Sequence, residues 1–129
     1  MFGWFRKSQP KAKVYARDPS TFRPLAVGLG GCLCTDRITV DGAPVGYFVR
    51  ETPNNPMDSG WCFFAGDESE QYLTDLSHSA PYDLNTIANH EPAITAYLDA
   101  PVGSAFIRDG DRFVPDEGGW AWDSRLQRV

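Results

Sequence analysis

Five side chains in this sequence are of the kinds that bind zinc: Cys32, Cys34, Cys62, His78 and His90. Structural zinc sites usually present two close ligand pairs, each spaced by roughly two to four residues. Here one close pair and three scattered residues do not make that pattern. Cys32 and Cys34 are separated by one residue, so on a strand both point to the same face, too close along the backbone for an undistorted disulfide. Three cysteines also leave an odd thiol in any pairing. With apolar neighbours they read as reduced, packed thiols of a cytoplasmic protein. A nucleophilic site would need one of them beside a histidine held by an acid. Cys34 with His78 or His90 and Asp36 supplies the residue types without any local signature. The sequence therefore predicts no catalytic residues, no metal site, no cofactor and no enzyme, with a cysteine- or metal-dependent enzyme as the third-ranked alternative.

The carboxylates are the other candidates. Asp58, Asp67, Glu68, Glu70 and Asp75 lie within one stretch, and paired acids at a set separation can hydrolyse glycosidic bonds. A simpler assignment makes Asp67 the cap of a helix and Glu70 the second half of a capping box. That leaves Glu68 as exposed charge. Asp58, Glu68 and Asp75 have the least evident structural duty, and Trp120 and Trp122 sit among glycines and acids in the tail. These five are the predicted partner-contact residues. Gly28, Gly30 and Gly31 lack the following lysine and helix of a phosphate loop and read as the way into a strand.

Charge is unevenly spread. The net value is -5, yet residues 1–24 carry +5 and residues 25–129 carry -10. A basic, proline-punctuated leader thus precedes a single acidic domain over 25–129. An anionic body repels a phosphate backbone and attracts basic proteins, which argues against a nucleic-acid partner, although solubility alone also accounts for a modest net charge. No apolar run approaches the ~18–20 residues of a membrane-spanning helix. The apolar run Leu25–Cys32 is glycine-broken and follows a long leader with three prolines, unlike an export signal.

These residues need a scaffold, and 129 residues with 42% apolar content suffice for one domain with its own core. Strands are predicted at 33–36, 37–40 and 45–50, the last with Val45, Tyr47 and Val49 on one face. The segment Gly60–Gly66 is apolar on both alternating faces, as in a central strand covered on two sides. Tyr72, Leu73 and Leu76 follow at helical spacing, and 77–83 reads as a loop. Leu84, Ile87 and Ala88 suggest a helical turn, and Pro92 opens another presenting Ile94, Tyr97 and Leu98. A hairpin turning on Asp109-Gly110 would set Phe106 opposite Phe113. The expected fold is α+β: a compact domain with a mainly antiparallel sheet and two or three short helices.

One series of short blocks goes further. Gly31-Cys32-Leu33, Asp36-Arg37-Ile38, Val45-Gly46-Tyr47 and Arg50-Glu51 open it. Asp58-Ser59-Gly60-Trp61, Phe63 to Glu68, Tyr82 to Asn89 and Gly103 to Phe106 continue it. In this order they resemble a small bacterial domain family, once of unknown function, classed among the immunity proteins of polymorphic toxin systems. The resemblance covers roughly residues 30–115 and carries no catalytic residue. It implies a cytoplasmic protein that binds a cognate toxin, such as a nuclease with a basic cleft, through its acidic surface, with no membrane or nucleic-acid partner. A regulatory or small-molecule-binding domain is the alternative.

Overall fold

The computed structural model describes residues 12–117. Six strands form one sheet in the order β4-β1-β3-β2-β5-β6: β1 (Gly31–Thr35), β2 (Tyr47–Arg50), β3 (Asp58–Phe64), β4 (Ser79–Asp83), β5 (Ala105–Asp109) and β6 (Arg112–Pro115). Only β1 and β3 pair in parallel; every other neighbour is antiparallel. Three short α-helices, α1 (Asp36–Thr39), α2 (Glu70–Thr74) and α3 (Leu84–His90), connect them, with 3₁₀ turns at Pro19–Thr21, Leu76–His78 and Pro92–Tyr97. The expected α+β class, with its mainly antiparallel sheet, is the observed one. None of the helices described is long and apolar enough to cross a membrane.

The strand alternation sorts side chains onto two unlike faces. Cys32, Cys34, Phe48, Trp61, Phe63 and Phe113 join Ile38, Val45, Leu84, Ile87, Ala88, Ile94 and Leu98 in the main core. Phe48 is its hub. Its ring lies 5.4 Å from Trp61, 5.4 Å from Phe63, 5.2 Å from Phe106 and 5.0 Å from Phe113. Ring pairs at these separations add to the area they bury. The Trp61 indole N–H donates to Leu98 O, so the polar atom of the largest buried ring is satisfied. On the opposite face Tyr47, Val49 and Ala105 form a smaller cluster with Cys62, Phe64 and Ile107.

Several elements depart from the sequence-based expectation. Residues 36–39 form α1 rather than a strand. Their β-branched side chains suggest extension, yet helical geometry buries Ile38 and Thr39 in the core. The expected loop at 77–83 contains β4, an edge strand paired on one side to β1. Pro81 reads as a loop signal, but an edge strand tolerates a residue with no N–H to give. Val45 belongs to the main core and not with Tyr47 and Val49, because Gly46 breaks the alternation. A side chain at Gly46 would collide with the Ala65 carbonyl, so the backbones of the two segments meet there. The hairpin turns on Gly110-Asp111, with Gly110 at φ 68°, a left-handed position glycine fills readily. Arg108 therefore faces Phe113, and Phe106 faces Pro115. Phe64 is half-buried on the open face, so β3 is closed by the core on one side only.

Residues 13–26 are laced onto this frame. Lys13 Nζ pairs with Asp36 at 2.9 Å, and Ala16 N–H donates to Thr39 O. Asn89 exchanges hydrogen bonds with the Arg23 backbone in both directions, while Asn85 Oδ1 accepts from Leu25 N–H and Ala26 N–H.

Because Phe48 touches so many rings at once, Phe48→Ala should cost about 3–5 kcal/mol, the range for deleting a core aromatic. Urea unfolding checks this. A cost below about 1 kcal/mol would mean that the layer does not hold the fold.

Candidate functional site

The sheet's second face carries a groove of about 440 Å³. Leu33 and Cys62 contribute from adjacent strands, with Phe64 beyond them, while Leu73 and Leu76 wall it from α2 and the turn that follows. The loop that joins β2 to β3 supplies Glu51, Thr52, Asn54 and, at its end, Asp58. Leu33 is 47% exposed and Leu76 80% exposed, unusual values for large apolar side chains beside a groove.

Acids stand at both ends. Asp58 opens β3, so it lies at one end, and its oxygens accept from Gly60 N–H and Asn54 N–H at 2.9 Å each. Glu68 is at the other. It was expected to be a free charge, but it clamps the far end of β1 and β3. Oε2 accepts from the Thr35 hydroxyl at 2.5 Å and from Ala65 N–H at 2.8 Å, and Oε1 accepts from Gly66 N–H at 2.8 Å. Asp75 caps the turn that presents Leu76, accepting from both Ser77 N–H and the Ser77 hydroxyl, which hold its carboxyl below the usual range. Asp67 does not cap α2. Ser69 does, through Tyr72 N–H, and Asp67 instead pairs with Arg37 at 2.7 Å. Trp120 and Trp122 lie outside the described residues.

The arginines of this region are all matched within it, Arg50 and Arg108 against the core and Arg37 and Arg112 at the surface. Residues 32–115 hold four of them against 13 acids, a net of -9. Arg37 binds Asp67 and Asp41. Arg50 donates to Ser59 O and Ala100 O and lies over the Trp61 ring. Arg108 donates to Val45 O and pairs with Glu91 at 2.6 Å over the Phe113 ring. Arg112 stands 4.0 Å from Asp109. An acid that caps a helix still projects its charge, so the outward field is negative.

The groups expected to be chemically competent are dispersed. Cys32 and Cys34 point into the core and Cys62 into the groove, all as free thiols. Burial is the first cause that raises each of them, with Cys62 pushed up to about 12. A thiol so poor in thiolate is a weak nucleophile. His78 stacks on Tyr72 at 4.0 Å, and His90 is half-buried against Phe22, its pKa lowered by that burial, so neither is the plain solvent-facing residue its neighbours suggest. Among the described residues no three His, Cys, Asp or Glu side chains gather where a metal ion could sit.

An acidic domain with this block order was expected to resemble an immunity protein, and the family comparison decides it. The family model of the immunity protein Imm33 domain matches residues 32–115, which is 84 of the 129 residues. The chain belongs to the Imm33 family. Comparison with curated proteins and with solved structures gives no match. The Imm33 match runs from the second residue of β1 to the end of β6, so it contains all of the sheet but Gly31, and the groove, while the laced segment at 13–26 lies before it.

Two expectations follow from this geometry. Glu68→Ala removes one acceptor from a hydroxyl and two N–H groups and should cost about 2–4 kcal/mol; Glu68→Gln, which keeps an acceptor oxygen, should cost less. Urea unfolding of both variants measures the difference. The thiols should also react slowly with a disulfide reagent at pH 8 in the folded protein and quickly in denaturant. Since the folded Cys62 thiol titrates near 12 and the ordinary value is 9.0, its contribution to stability is complete below pH 9. It is then lost as pH rises from 9 towards 12, because the unfolded chain ionises first. A pH series of unfolding midpoints reads this.

Proposed function

We propose that this Imm33 protein neutralises a cognate protein toxin in the cytoplasm by binding it through the acidic face around the groove, without catalysis. The observation that carries the reading is the imbalance of charge within the family domain: 13 acids stand against four arginines, each of which already meets an acid or backbone carbonyls of the same domain. Such a surface complements a basic one, such as the substrate cleft of a nuclease, and speeds encounter by long-range attraction. Asp58, Glu68 and Asp75, together with Glu51, supply the charge nearest the groove, and Trp120 and Trp122 are candidate aromatic anchors of the same contact. Free thiols that are never paired support a reducing compartment.

The test is co-expression with the product of the adjacent toxin gene. The wild-type protein should restore growth. Glu51→Lys, chosen because Asp58, Glu68 and Asp75 also hold backbone N–H groups, should slow association about threefold or more and flatten its dependence on salt. Equal rescue and equal rates would remove the acidic face from the mechanism. If no neighbouring gene is toxic, a small-molecule ligand for the groove becomes the better reading.

A further inference from the structure

Charge explains how a partner is drawn in and leaves open what holds it. We propose that the groove on the open face of the sheet receives a segment of the toxin whose contiguous apolar side chains are bracketed by a lysine or arginine at each end. This rests on the toxin-binding reading and adds to it the place and chemistry of the anchor. The floor and wall are apolar, with Cys62 between Leu33 and Phe64 and with Leu73 and Leu76 alongside. Leu33 and Leu76 leave much of their surface in water although the sheet's other face is fully covered, so a partner that dries them gains the hydrophobic free energy the fold itself does not take.

The distribution of charge fixes the occupant. The seven residues of β3 span roughly 20 Å, with Asp58 at one end and Glu68, bonded to Thr35 of the groove floor, at the other; Asp75 directly precedes Leu76 of the wall. An occupant that lies along the strand therefore meets apolar surface in its middle and carboxylates at its two ends. An anionic ligand is repelled at both. A second copy of this chain would bring Glu51, Asp58, Glu68 and Asp75 against their own counterparts, like charges at close range. An apolar segment with a cation at each end satisfies the whole groove.

The experiment measures binding of the full chain to the purified product of the adjacent toxin gene, for the wild type and for Leu33→Ser and Leu76→Ser. Both side chains are exposed enough for the fold to tolerate their loss, and circular dichroism with a thermal midpoint verifies this. Each serine variant should weaken affinity about 30-fold or more, chiefly through faster dissociation, with the salt dependence of association unchanged. Leu33→Met and Leu76→Met should bind within about threefold of wild type, since shape and polarity are kept. Serine variants that bind as wild type would overturn the groove as anchor while the toxin reading stands. Absence of binding and of protection by the wild type would overturn both. A dimer in light scattering that the paired serine substitutions dissolve would give the groove to a second copy and overturn the proposal.

Discussion

Phe48 sits on β2 where five other aromatic rings meet, Tyr97 among them at 6.1 Å, and that packing decides which way the whole domain faces. Trp61 and Phe63 reach it from the neighbouring strand β3, and Phe106 and Phe113 from the hairpin on the other side. Large rings of this number fill one layer between the sheet and the segment from α3 through the 3₁₀ turn at 92–97. With most of the bulk committed there, the alternate positions of the same strands carry a smaller cluster in which Tyr47 and Phe64 pack beside Val49, Cys62, Ala105 and Ile107. α1 and α3 go to the face with the rings, while α2 stands beside the other. The other face is left half-open and shaped into a groove, so the groove is a by-product of how the core was satisfied.

Electrostatics follows the same division. Arg50 and Arg108 are drawn against the core, where aromatic faces and backbone carbonyls replace their water. The acids take peripheral tasks: Asp75 and Asp83 cap, Asp58 braces the start of β3, and Glu68 ties its end to β1. A carboxylate can hold N–H groups and still present its charge to solvent. The structural acids and the acids available to a partner are in large part the same residues, so the field around the groove is rigidly placed.

Much of this was legible in the sequence where one local signal agreed with its surroundings. The helical spacing of Leu84, Ile87 and Ala88 and Pro92 opening a turn each specify an element whose burial matches its pattern, and the apolar block at 60–65 specifies a strand although the core covers only one of its faces. Legibility failed where context outweighed the local signal. Ile38 and Thr39 are β-branched but helical, since a helix there delivers both to the core. The strand at 79–83 needs a partner on one side only and so tolerates Pro81 and polar neighbours. The hairpin slipped by one position at each side because the glycine, not the aspartate, starts the turn. The groove could not be read at all. Its floor comes from β1 and β3, a parallel pair far apart in the chain, and its wall from a helix capped by Ser69, where Asp67 had the better sequence credentials.

The two margins of the sheet also shape how the molecule behaves among its own copies. β4 and β6 are each hydrogen-bonded along one side only, and an open strand margin is a template on which another chain can grow. Pro81 stands in the middle of β4 and Pro115 closes β6, and neither has an N–H to offer. Charge also stands near each margin, Asp83 at the end of β4 and Asp109, Arg112 and Asp116 around the β5–β6 hairpin. Edge-to-edge pairing of sheets is thus disfavoured at both margins. A chain whose sheet margins are closed in this way can reach high concentration with little tendency to join its copies edge to edge.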